Sequence, residues 1–477
     1  MSTLDGFDAV VVGSGPNGLV GAVTMAESGM RVLVLEAAEQ WGGGLRTEEL
    51  TLSGFRHDVC SSVHPLAQAS PAFRGLALER DGLRWAHPAV PLAHPLDASP
   101  SDAILLRRSV EETAASLGVD GPKWRRWLEP LVARSQPMVD TILDPLHVPA
   151  PAAVPALSRF GLLGLRSASS LARSFKGERG RALLAGNSAH SILDLSQPVT
   201  GGFGLLLALL AHSHGWPVAV GGSQSIADAL VTRLQSLGGS IELAAPVTTI
   251  DALTSCPRVL LDLTPRQFLD IAAHRLPSRY ERALSNFRYG PGVFKVDWAL
   301  DGPVPWLDER AGEAGTVHLG GSFAEIEAGE RAVQNGRHPD RPFVLYVQAS
   351  AADPTRAPAG KHTGWAYCHV PNGSTVDMTA AIEAQVERFA PGFRDRILAR
   401  HTMGPKALEA HNANLVGGDI GGGVADIRQL VARPVLSTKP WRTPLPGVFI
   451  GSAATPPGGG VHGMGGWHAA QLALGVS

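Results

Sequence analysis

The stretch from residue 7 to residue 47 constrains this chain more than any other, because it reads as a strand, a glycine turn, a helix and a second strand. Residues 8–12 form a short β-branched apolar run, which is typical of a buried parallel strand. Gly13, Gly15 and Gly18 follow in G-x-G-x-x-G spacing. In that pattern the glycines allow a tight turn, a close approach of the backbone to a pyrophosphate and close packing of helix on strand. The stretch therefore predicts a dinucleotide-binding βαβ unit.

The helix and the acid that follow the turn strengthen this prediction. A helix over residues 17–28 points its N-terminal amides at a phosphate. The second strand, residues 31–35, ends at Glu36, where an acidic side chain binds a ribose hydroxyl and favours FAD or NAD over NADP. An ordinary α/β unit with a glycine-rich turn is the alternative, and this context argues against it. The predicted dinucleotide contacts are Gly13, Ser14, Gly15, Pro16, Asn17, Gly18, Glu36 and Ala37.

The run WGGGLRT comes just after Glu36. It resembles the G-G-x-x-x-T extension of the FAD-dependent superfamily that contains the phytoene desaturases and the flavin amine oxidases. Gly42, Gly43 and Thr47 fit the pattern, whereas Gly44 stands where many members carry arginine, so Arg46 becomes the alternative phosphate contact. The resemblance narrows the cofactor to FAD and implies contacts from Gly43, Gly44 and Arg46.

Two later segments show the same resemblance. Residues 446–474 contain a strand, the pattern G-x-x-x-x-P-G-G-G-V-x-G and a helix from about residue 464, like the closing FAD motif of phytoene-desaturase-like proteins. Residues 217–250 read as a glycine turn, a helix over 225–237 and two β-rich pieces, the second of which would pair its backbone with the adenine. The further cofactor contacts that the resemblance implies are Val247, Gly451, Ser452, Gly460 and Val461.

These segments define the predicted fold class. We expect an α/β protein with a discontinuous Rossmann-like FAD-binding domain built from residues 1–64, 217–264 and 436–477. Residues 65–216 and 265–435 form the second domain, a mixed α+β cap that binds the substrate.

Periodicity adds detail to the cap. Residues 110–117 and 124–139 have helical periodicity, and we expect most of the first cap segment to be helical. In the second segment, residues 343–350 and 362–369 predict paired strands, followed by a helix over 378–389. The aromatic residues Trp298, Trp306, Tyr346, Trp365 and Tyr367 either line a flat apolar pocket or belong to the core.

Three residues are candidates for catalysis. Residues 293–300 predict a strand that resembles the segment of flavin amine oxidases in which a lysine, here Lys295, projects toward flavin N5. The alternative interpretation is that Lys295 lies on the solvated face of an edge strand. His64 and His462 are the candidate protic groups; for His462 a structural role in its loop is equally open. The resemblance also places His57, Asp58, Ser61 and Ser62 near the flavin ring.

Bulk properties exclude several classes of function. The net charge of -2 gives no electrostatic basis for nucleic-acid binding. The three cysteines include no C-x-x-C pair, which argues against a disulfide framework, a zinc site and a dithiol relay. The histidines at 190, 212 and 214 lack the spacing of metal ligands, so we expect no metal and interpret them as packing or cavity-lining residues.

The sequence also makes predictions about the cellular location of the protein and about its binding partners. We expect a cytoplasmic protein, because the first strand leaves no room for an export signal and no apolar run reaches about 18 residues. Residues 149–175 are apolar and carry arginines but no acids, which fits a peripheral membrane contact or a lid, with a buried helix pair as the alternative. Glycine-rich residues 417–423 lack a preceding strand, so we do not assign them a second nucleotide site.

Together these observations predict an FAD-dependent oxidoreductase that desaturates or isomerises a lipophilic small molecule by hydride transfer to flavin N5. A flavin amine oxidase is the alternative that Lys295 favours. A non-catalytic flavin-binding interaction protein is the third possibility. With one dinucleotide fingerprint, oxygen or a quinone is the expected electron acceptor rather than NAD(P).

Overall fold

The computed structural model describes residues 4–144 and 148–476. The strands are β1 Ala9–Val12, β2 Val32–Leu35, β3 Thr47–Glu48, β4 His57–Asp58, β5 Trp85–Ala86, β6 Val90–Leu96, β7 Ser99–Leu106, β8 Val218–Ala219, β9 Ser240–Glu242, β10 Val259–Leu261, β11 Gly292–Leu300, β12 Ala314–Leu319, β13 Val344–Val347, β14 His362–Val370, β15 Ile397–Met403 and β16 Val448–Ile450.

The helices are α1 Pro16–Glu27, α2 Pro65–Ala69, α3 Pro71–Leu76, α4 Val110–Ser116, α5 Gly121–Val132, α6 Ser135–Leu143, α7 Val154–Gly164, α8 Ala168–Ala172, α9 Glu178–Ala189, α10 Thr200–Ser213, α11 Gln224–Ser236, α12 Pro265–Ala272, α13 Ser278–Ser285, α14 Phe323–Gln334, α15 Ala349–Ala352, α16 Thr379–Phe389, α17 Pro405–His411, α18 Ile427–Val431 and α19 Met464–Leu474. No helix among residues 4–144 and 148–476 is both long enough and apolar enough to cross a bilayer.

A five-stranded parallel sheet forms the first half of the molecule, in the order β16-β10-β1-β2-β9. Every residue of β1 and β2 is buried, as their continuous apolar sequences require when helices cover both faces of a sheet. Helix α1 packs between α11 and α19 on one of these faces. This arrangement is the predicted Rossmann-like fold, and its strands come from three separate parts of the chain.

The predicted domain boundaries remain a proposal. All five strands of the parallel sheet lie within the segments 1–64, 217–264 and 436–477, which supports that division. Residues 1–3, 145–147 and 477 of the predicted domains lie outside the described residues.

A seven-stranded mixed sheet forms the second half, in the order β15-β11-β14-β13-β12-β6-β7. Its pairs are antiparallel except β12 with β6. Strand β11 matches the predicted strand, and all nine of its residues are buried. Because side chains alternate along a strand, Val293 and Lys295 lie on one face, whereas Phe294, Val296 and Trp298 join the core under the other.

One prediction for the cap was wrong. Residues 124–139 do not form one helix: α5 ends at Val132 and α6 begins at Ser135. Pro137 explains the break, because its ring clashes with the carbonyl four residues earlier and is accommodated only in the first turn of a new helix. The helices α2 to α10 cover more than half of the first cap segment, as predicted, and β6 and β7 within it pair as two strands of the mixed sheet.

Candidate cofactor and substrate cavity

The glycine turn after β1 has the geometry that its sequence predicted. Gly13 adopts a φ of +96°, and Gly15 is the N-cap of α1, with Pro16 in the first turn. A Cβ on Gly18 would lie 2.2 Å from the Gly13 carbonyl oxygen, and a Cβ on Gly43 would lie 3.0 Å from the Gly15 Cα. Only glycine fits this cradle, so the backbone is free to approach a phosphate.

Glu36 is held beneath the turn. Its Oε2 accepts hydrogen bonds from the Ser14 backbone N–H at 2.9 Å and from the Ser14 hydroxyl, and its Oε1 accepts from the Ala38 N–H at 2.9 Å. Ala37 is exposed at the start of the following turn. The carboxylate is therefore fixed at the end of β2, and its contact with a ribose stays a prediction.

Arg46 is a buried guanidinium beside this carboxylate. Its Nη2 donates to the Gln40 carbonyl at 2.8 Å and lies 3.8 Å from Glu36 Oε1. Its Nε has no partner among the described residues. Gly44, in contrast, lines the cavity with open space around it, since an added Cβ would meet only Cys60, at 3.9 Å.

The closing segment brings the last helix against the first. A Cβ on Gly466 would lie 1.7 Å from the Asn17 carbonyl oxygen, so α19 and α1 touch through backbone. Asn17 is 4% exposed and its Oδ1 has no partner among the described residues. Two adjacent helix N-termini, a glycine cradle and unpartnered buried polar atoms on Asn17 and Arg46 fit a dinucleotide cofactor. Ser452, Gly460 and Val461 line the same cavity, and Gly451 follows β16 directly.

The strand predicted around Val247 was wrong. Among the described residues, 243–249 form no strand between β9 and the turn at Ile250–Leu253. Val247 is half-buried against core residues beside β10 and does not line the cavity. The chain bends here because Ala244 adopts a left-handed φ of +50°, which ends the extended backbone after β9.

One continuous cavity of about 640 Å³ runs from the glycine turn into the cap. Near the turn it is lined by backbone and small residues of α1 and of the closing loop. Farther in, its wall is apolar and comes mainly from α6, α7, α10 and the mixed sheet. The members of this apolar wall are Ile142, Leu143, Phe160, Leu165, Val199, Phe203, Leu206, Leu207, Trp216, Val293, Leu345 and Val347.

Lys295 also lines this cavity. It is 2% exposed, forms an ion pair with Asp297 two positions along β11, and holds its Nζ 5.8 Å from the centre of the Trp365 ring. The His57 ring lies 3.7 Å from the same Asp297 carboxylate. Lys295 is therefore neither solvated nor unpaired, and sequence reasoning missed its partner because it weighed only the apolar neighbours.

His64 and His462 also line the cavity, and their ring nitrogens are already engaged. His462 Nδ1 accepts from the Met464 N–H at 3.1 Å, so its Nε2 carries the proton and donates to the Gly458 carbonyl at 3.1 Å. His64 Nε2 donates to the Ser223 hydroxyl at 3.0 Å. Burial lowers the pKa of each histidine to about 4, so both are neutral at pH 7. This geometry favours the structural interpretation of His462.

The remaining predicted neighbours of the flavin divide into two groups. Ser61 and Ser62 line the cavity, whereas His57 and Asp58 lie behind it. Cys60 lines the cavity as well, and burial raises the pKa of its thiol to about 11, so it stays protonated.

The five candidate aromatic residues fall into two groups, one in the cavity wall and one in the core. Trp365 and Tyr367 line the cavity with ring centres 5.4 Å apart. Trp298, Trp306 and Tyr346 belong to the core, which is the other interpretation that the sequence left open.

Of the three histidines that the sequence left as packing or cavity-lining residues, His190 lines the apolar region of the cavity. Sequence reasoning missed one further part of the wall. Residues 419–425 also line the cavity and touch the closing loop, since a Cβ on Gly459 would lie 2.7 Å from the Gly421 carbonyl oxygen. Arg433 donates to the carbonyls of both loops. The high density of glycines in residues 417–423 was the signal in the sequence that could have identified this part of the cavity wall.

In the part of the chain that the structure describes, no three His, Cys, Asp or Glu side chains converge as metal ligands.

Comparisons with known proteins agree with this fold. Residues 11–77 match the model of the NAD(P)-binding Rossmann-like domain. The chain is 25% identical to pyridine nucleotide-disulfide oxidoreductase domain-containing protein 2 of Rattus norvegicus, over 98% of this chain and 93% of the relative. It is 28% identical to the phytoene dehydrogenase of Streptomyces griseus, over 82% of this chain and 77% of the relative.

Among solved structures, the cyclohexylamine oxidase of Brevibacterium oxydans has the same fold. Its TM-score is 0.60, with 14% sequence identity over 98% of both chains. The fold and the relatives support FAD as the cofactor, as the sequence predicted, and the relatives that span most of the chain are named as an oxidoreductase domain-containing protein and a dehydrogenase.

Proposed function

We propose that this chain, which shares the fold and the relatives of FAD-dependent oxidoreductases, dehydrogenates or isomerises a lipophilic small molecule. The observation that carries the proposal is the single cavity that joins the glycine turn, Lys295 and the apolar wall of the cap. A chamber with so few polar groups binds molecules by removing apolar surface from water.

Cofactor binding follows from the residues near the turn. In our proposal the amides of Gly15 and Asn17 and the guanidinium of Arg46 hold the pyrophosphate, and Glu36 holds the ribose. The closing loop, through Gly460 and Val461, covers the flavin. FAD supplies a hydride acceptor at its N5 when bound.

The cap performs two tasks in this proposal. Its apolar wall excludes water from the reacting carbon, and its shape aligns one C–H bond of the substrate with the cofactor. Lys295 provides the one ammonium group that lines the cavity within the described residues. Its pairing with Asp297 compensates the cost of burying that charge, so the Nζ can present a proton to the chamber.

A flavin amine oxidase is the second candidate, because Lys295 lies beside the aromatic pair Trp365 and Tyr367. The apolar wall of the inner chamber argues for lipids over charged amines, since an ammonium substrate would lose its hydration against these side chains. The two acids that line the cavity, Asp262 and Asp419, do not belong to that apolar wall. We expect oxygen or a quinone as the electron acceptor in either case.

A peripheral membrane contact is part of the proposal. Helix α7 lines the cavity with Phe160 while exposing Leu162 at 77% and, just after the helix, Leu165 at 61%. The exposed Arg166 and Arg173 follow in sequence. An apolar surface flanked by cations and located at the cavity wall suits the entry of a substrate from an anionic bilayer.

Anaerobic mixing of the FAD-loaded protein with lipids, carotenoids and amines tests the proposal. Bleaching of the visible flavin band by an apolar lipid or a carotenoid is the expected result. Bleaching by amines alone would support the second candidate, and a protein that cannot be loaded with FAD would refute both.

Lys295→Met separates the two chemistries. If turnover and reoxidation of the flavin do not change, Lys295 has no amine-oxidase-like role. Because this variant leaves Asp297 buried without its partner, the double variant Lys295→Met with Asp297→Asn is measured beside it.

A further inference from the structure

His190 introduces a polar group into the apolar region of the cavity. It follows α9 as the C-cap residue, and its ring lies 5.8 Å from the ring of Trp216. Leu206 and Leu207 of α10 line the same region. A hydrogen-bonding group at such a place influences which ligands bind well. The hydroxyl-bearing Ser191 and Thr316 also line the cavity, and they are smaller than the imidazole of His190.

A second histidine holds His190 in place. His190 Nε2 lies 2.9 Å from His318 Nε2, and His318 is completely buried on β12. A contact between two ring nitrogens holds one proton, so one ring donates and the other accepts. Among the described residues, nothing is hydrogen-bonded to His190 Nδ1. That nitrogen is a donor or an acceptor, according to which ring carries the shared proton.

The position of His318 is fixed by tight packing around it. A Cβ on Gly186 of α9 would lie 2.6 Å from His318 Nδ1 and 2.9 Å from His94 Nδ1. His94 in turn donates its Nε2 proton to the Gly321 carbonyl at 2.8 Å. Gly186 therefore leaves the room that these two rings occupy, and the pair of His190 and His318 is built into the fold rather than a chance contact.

The pair lies far from Lys295 across the mixed sheet. The register pairs Lys295 with Tyr367, Tyr367 with Leu345 and Leu345 with His318. Three strand spacings separate the Cα atoms of Lys295 and His318, or about 14 Å. A ligand that reaches both ends must have a long apolar body between them.

We propose that His190 Nδ1 binds a hydroxyl or carbonyl oxygen at the end of the substrate remote from Lys295. The inference rests on the proposed function and narrows it to amphipathic substrates: an apolar body with one neutral oxygen group. Burial, with a smaller contribution from His369, lowers the pKa of His190 to about 3, so the ring is neutral at pH 7. A neutral imidazole does not compensate the desolvation of a carboxylate, which excludes fatty acid anions as the preferred ligands.

Equilibrium dialysis of the FAD-loaded protein with radiolabelled 1-decanol, 2-decanone and 1-decene tests this proposal. The three probes have similar apolar bodies and differ in the oxygen group. We expect the alcohol or the ketone to bind about three- to tenfold more tightly than the alkene, the worth of one hydrogen bond. His190→Phe removes that difference and leaves the affinity for 1-decene within about twofold.

Two further variants keep the test independent of folding. His190→Gln retains a hydrogen-bonding group and is expected to keep part of the preference. His214→Phe makes the same change outside the cavity wall, and it is expected to leave the preference intact. Content and absorption spectrum of FAD are measured in each variant to show that the cofactor site is unchanged.

Equal binding of all three probes by the unmodified protein would overturn the proposal. A preference for oxygen that survives in His190→Phe would overturn it too. Neither outcome would contradict the proposed oxidoreductase activity. That activity is tested separately, and it would be contradicted if no lipid bleached the flavin.

Discussion

Lys295 and Asp297 are two positions apart on β11, so strand alternation places both side chains on the same face. Their ion pair is 2% and 0% exposed, and such a pair is weak evidence for stability because desolvation offsets its attraction. Its function is to keep a charge in the cavity wall. Removing one partner is costly, since the other charge stays buried alone.

Asp297→Asn is therefore expected to lower the free energy of unfolding by about 3–5 kcal/mol. Urea unfolding at pH 7 measures it. The double variant with Lys295→Met should recover more than half of the loss, because no unpaired charge remains. Lys361→Met provides the control: its pair with Asp301 is 38% and 50% exposed, and its loss should cost less than about 1 kcal/mol. A single variant as stable as the unmodified protein would contradict the buried pair.

The neutral histidines of the cavity wall predict a pH dependence. The folded pKa of His462 is about 4, below the unfolded value of about 6.5, so the unfolded chain binds more protons between these values. Its contribution to stability is complete above about pH 6.5 and is lost as the pH falls toward 4. Between pH 7.5 and pH 5 that loss is about 2 kcal/mol.

His462→Asn should reduce the fall in unfolding free energy between pH 7.5 and pH 5 by about 2 kcal/mol. Denaturant titrations at the two pH values measure the difference. If the variant and the unmodified protein lose the same stability, His462 is not neutral in the folded protein. His274→Asn is the comparison, because His274 is half exposed beside Asp251, whereas His462 is buried.

At the scale of elements, the cofactor site is defined by where α1 and α19 begin. Both helices start beside the cavity, and the contact of Gly466 with the Asn17 carbonyl sets their separation. The dipoles of two helices then act on the same region. This contact, rather than any single hydrogen bond, is what keeps the predicted phosphate and flavin sites together.

Gly466→Ala should abolish FAD binding, because a methyl group cannot fit 1.7 Å from the Asn17 carbonyl oxygen and the helices must separate. The ratio of visible to ultraviolet absorbance after reconstitution measures the bound flavin. Gly75→Ala in α3 is the matched control, since an added Cβ there meets nothing within 4 Å. Full FAD content in the Gly466 variant would contradict the role assigned to this contact.

The sequence predicted correctly those elements in which residue spacing and hydrophobic periodicity indicate the same secondary structure. The turn at Gly13–Gly18, the strand β11 and the closing segment before α19 each combine spacing with periodicity. The helix break before Ser135 was missed because apolar periodicity continues across it while Pro137 alone marks it. Val247 was placed in a strand by the family resemblance of its segment, although the turn at Ala244 prevents one.

The unpredicted parts of the site depend on contacts between distant residues. His190 and His318 meet only when α9 packs on the mixed sheet, and nothing local distinguishes either from a core histidine. Asp297 was visible in sequence, but its pairing with Lys295 depends on the burial of the whole strand. Tertiary packing creates these groups, so a single sequence without structure gives no signal for them.

At the scale of the whole molecule, the two sheets enclose one cavity whose apolar wall includes α7 on the outside of the protein. The exposed side chains of Leu162 and Leu165 make that helix the proposed contact with a bilayer. Substrate delivery and catalysis would then share one surface, and the aqueous phase would never hold the free lipid.

Leu162→Glu with Leu165→Glu should reduce binding to vesicles of anionic lipid at least tenfold, because each buried leucine contributes about 1.5–3 kcal/mol. Flotation with vesicles measures the bound fraction. Leu436→Glu is the control, since Leu436 is 80% exposed but does not line the cavity. Equal flotation of the two variants, or no flotation of the unmodified protein, would contradict a contact through α7.

The strand order β16-β10-β1-β2-β9 has a consequence for biosynthesis. Strand β1 emerges from the ribosome before its neighbour β10 and before β16, which follow about 250 and 440 residues later, so the sheet cannot close until those residues have been synthesised. The nascent chain must keep the apolar strands β1 and β2 soluble throughout that interval. We therefore expect this protein to depend on chaperones that bind nascent chains, and its truncated products to be degraded rather than to accumulate as partial flavoproteins.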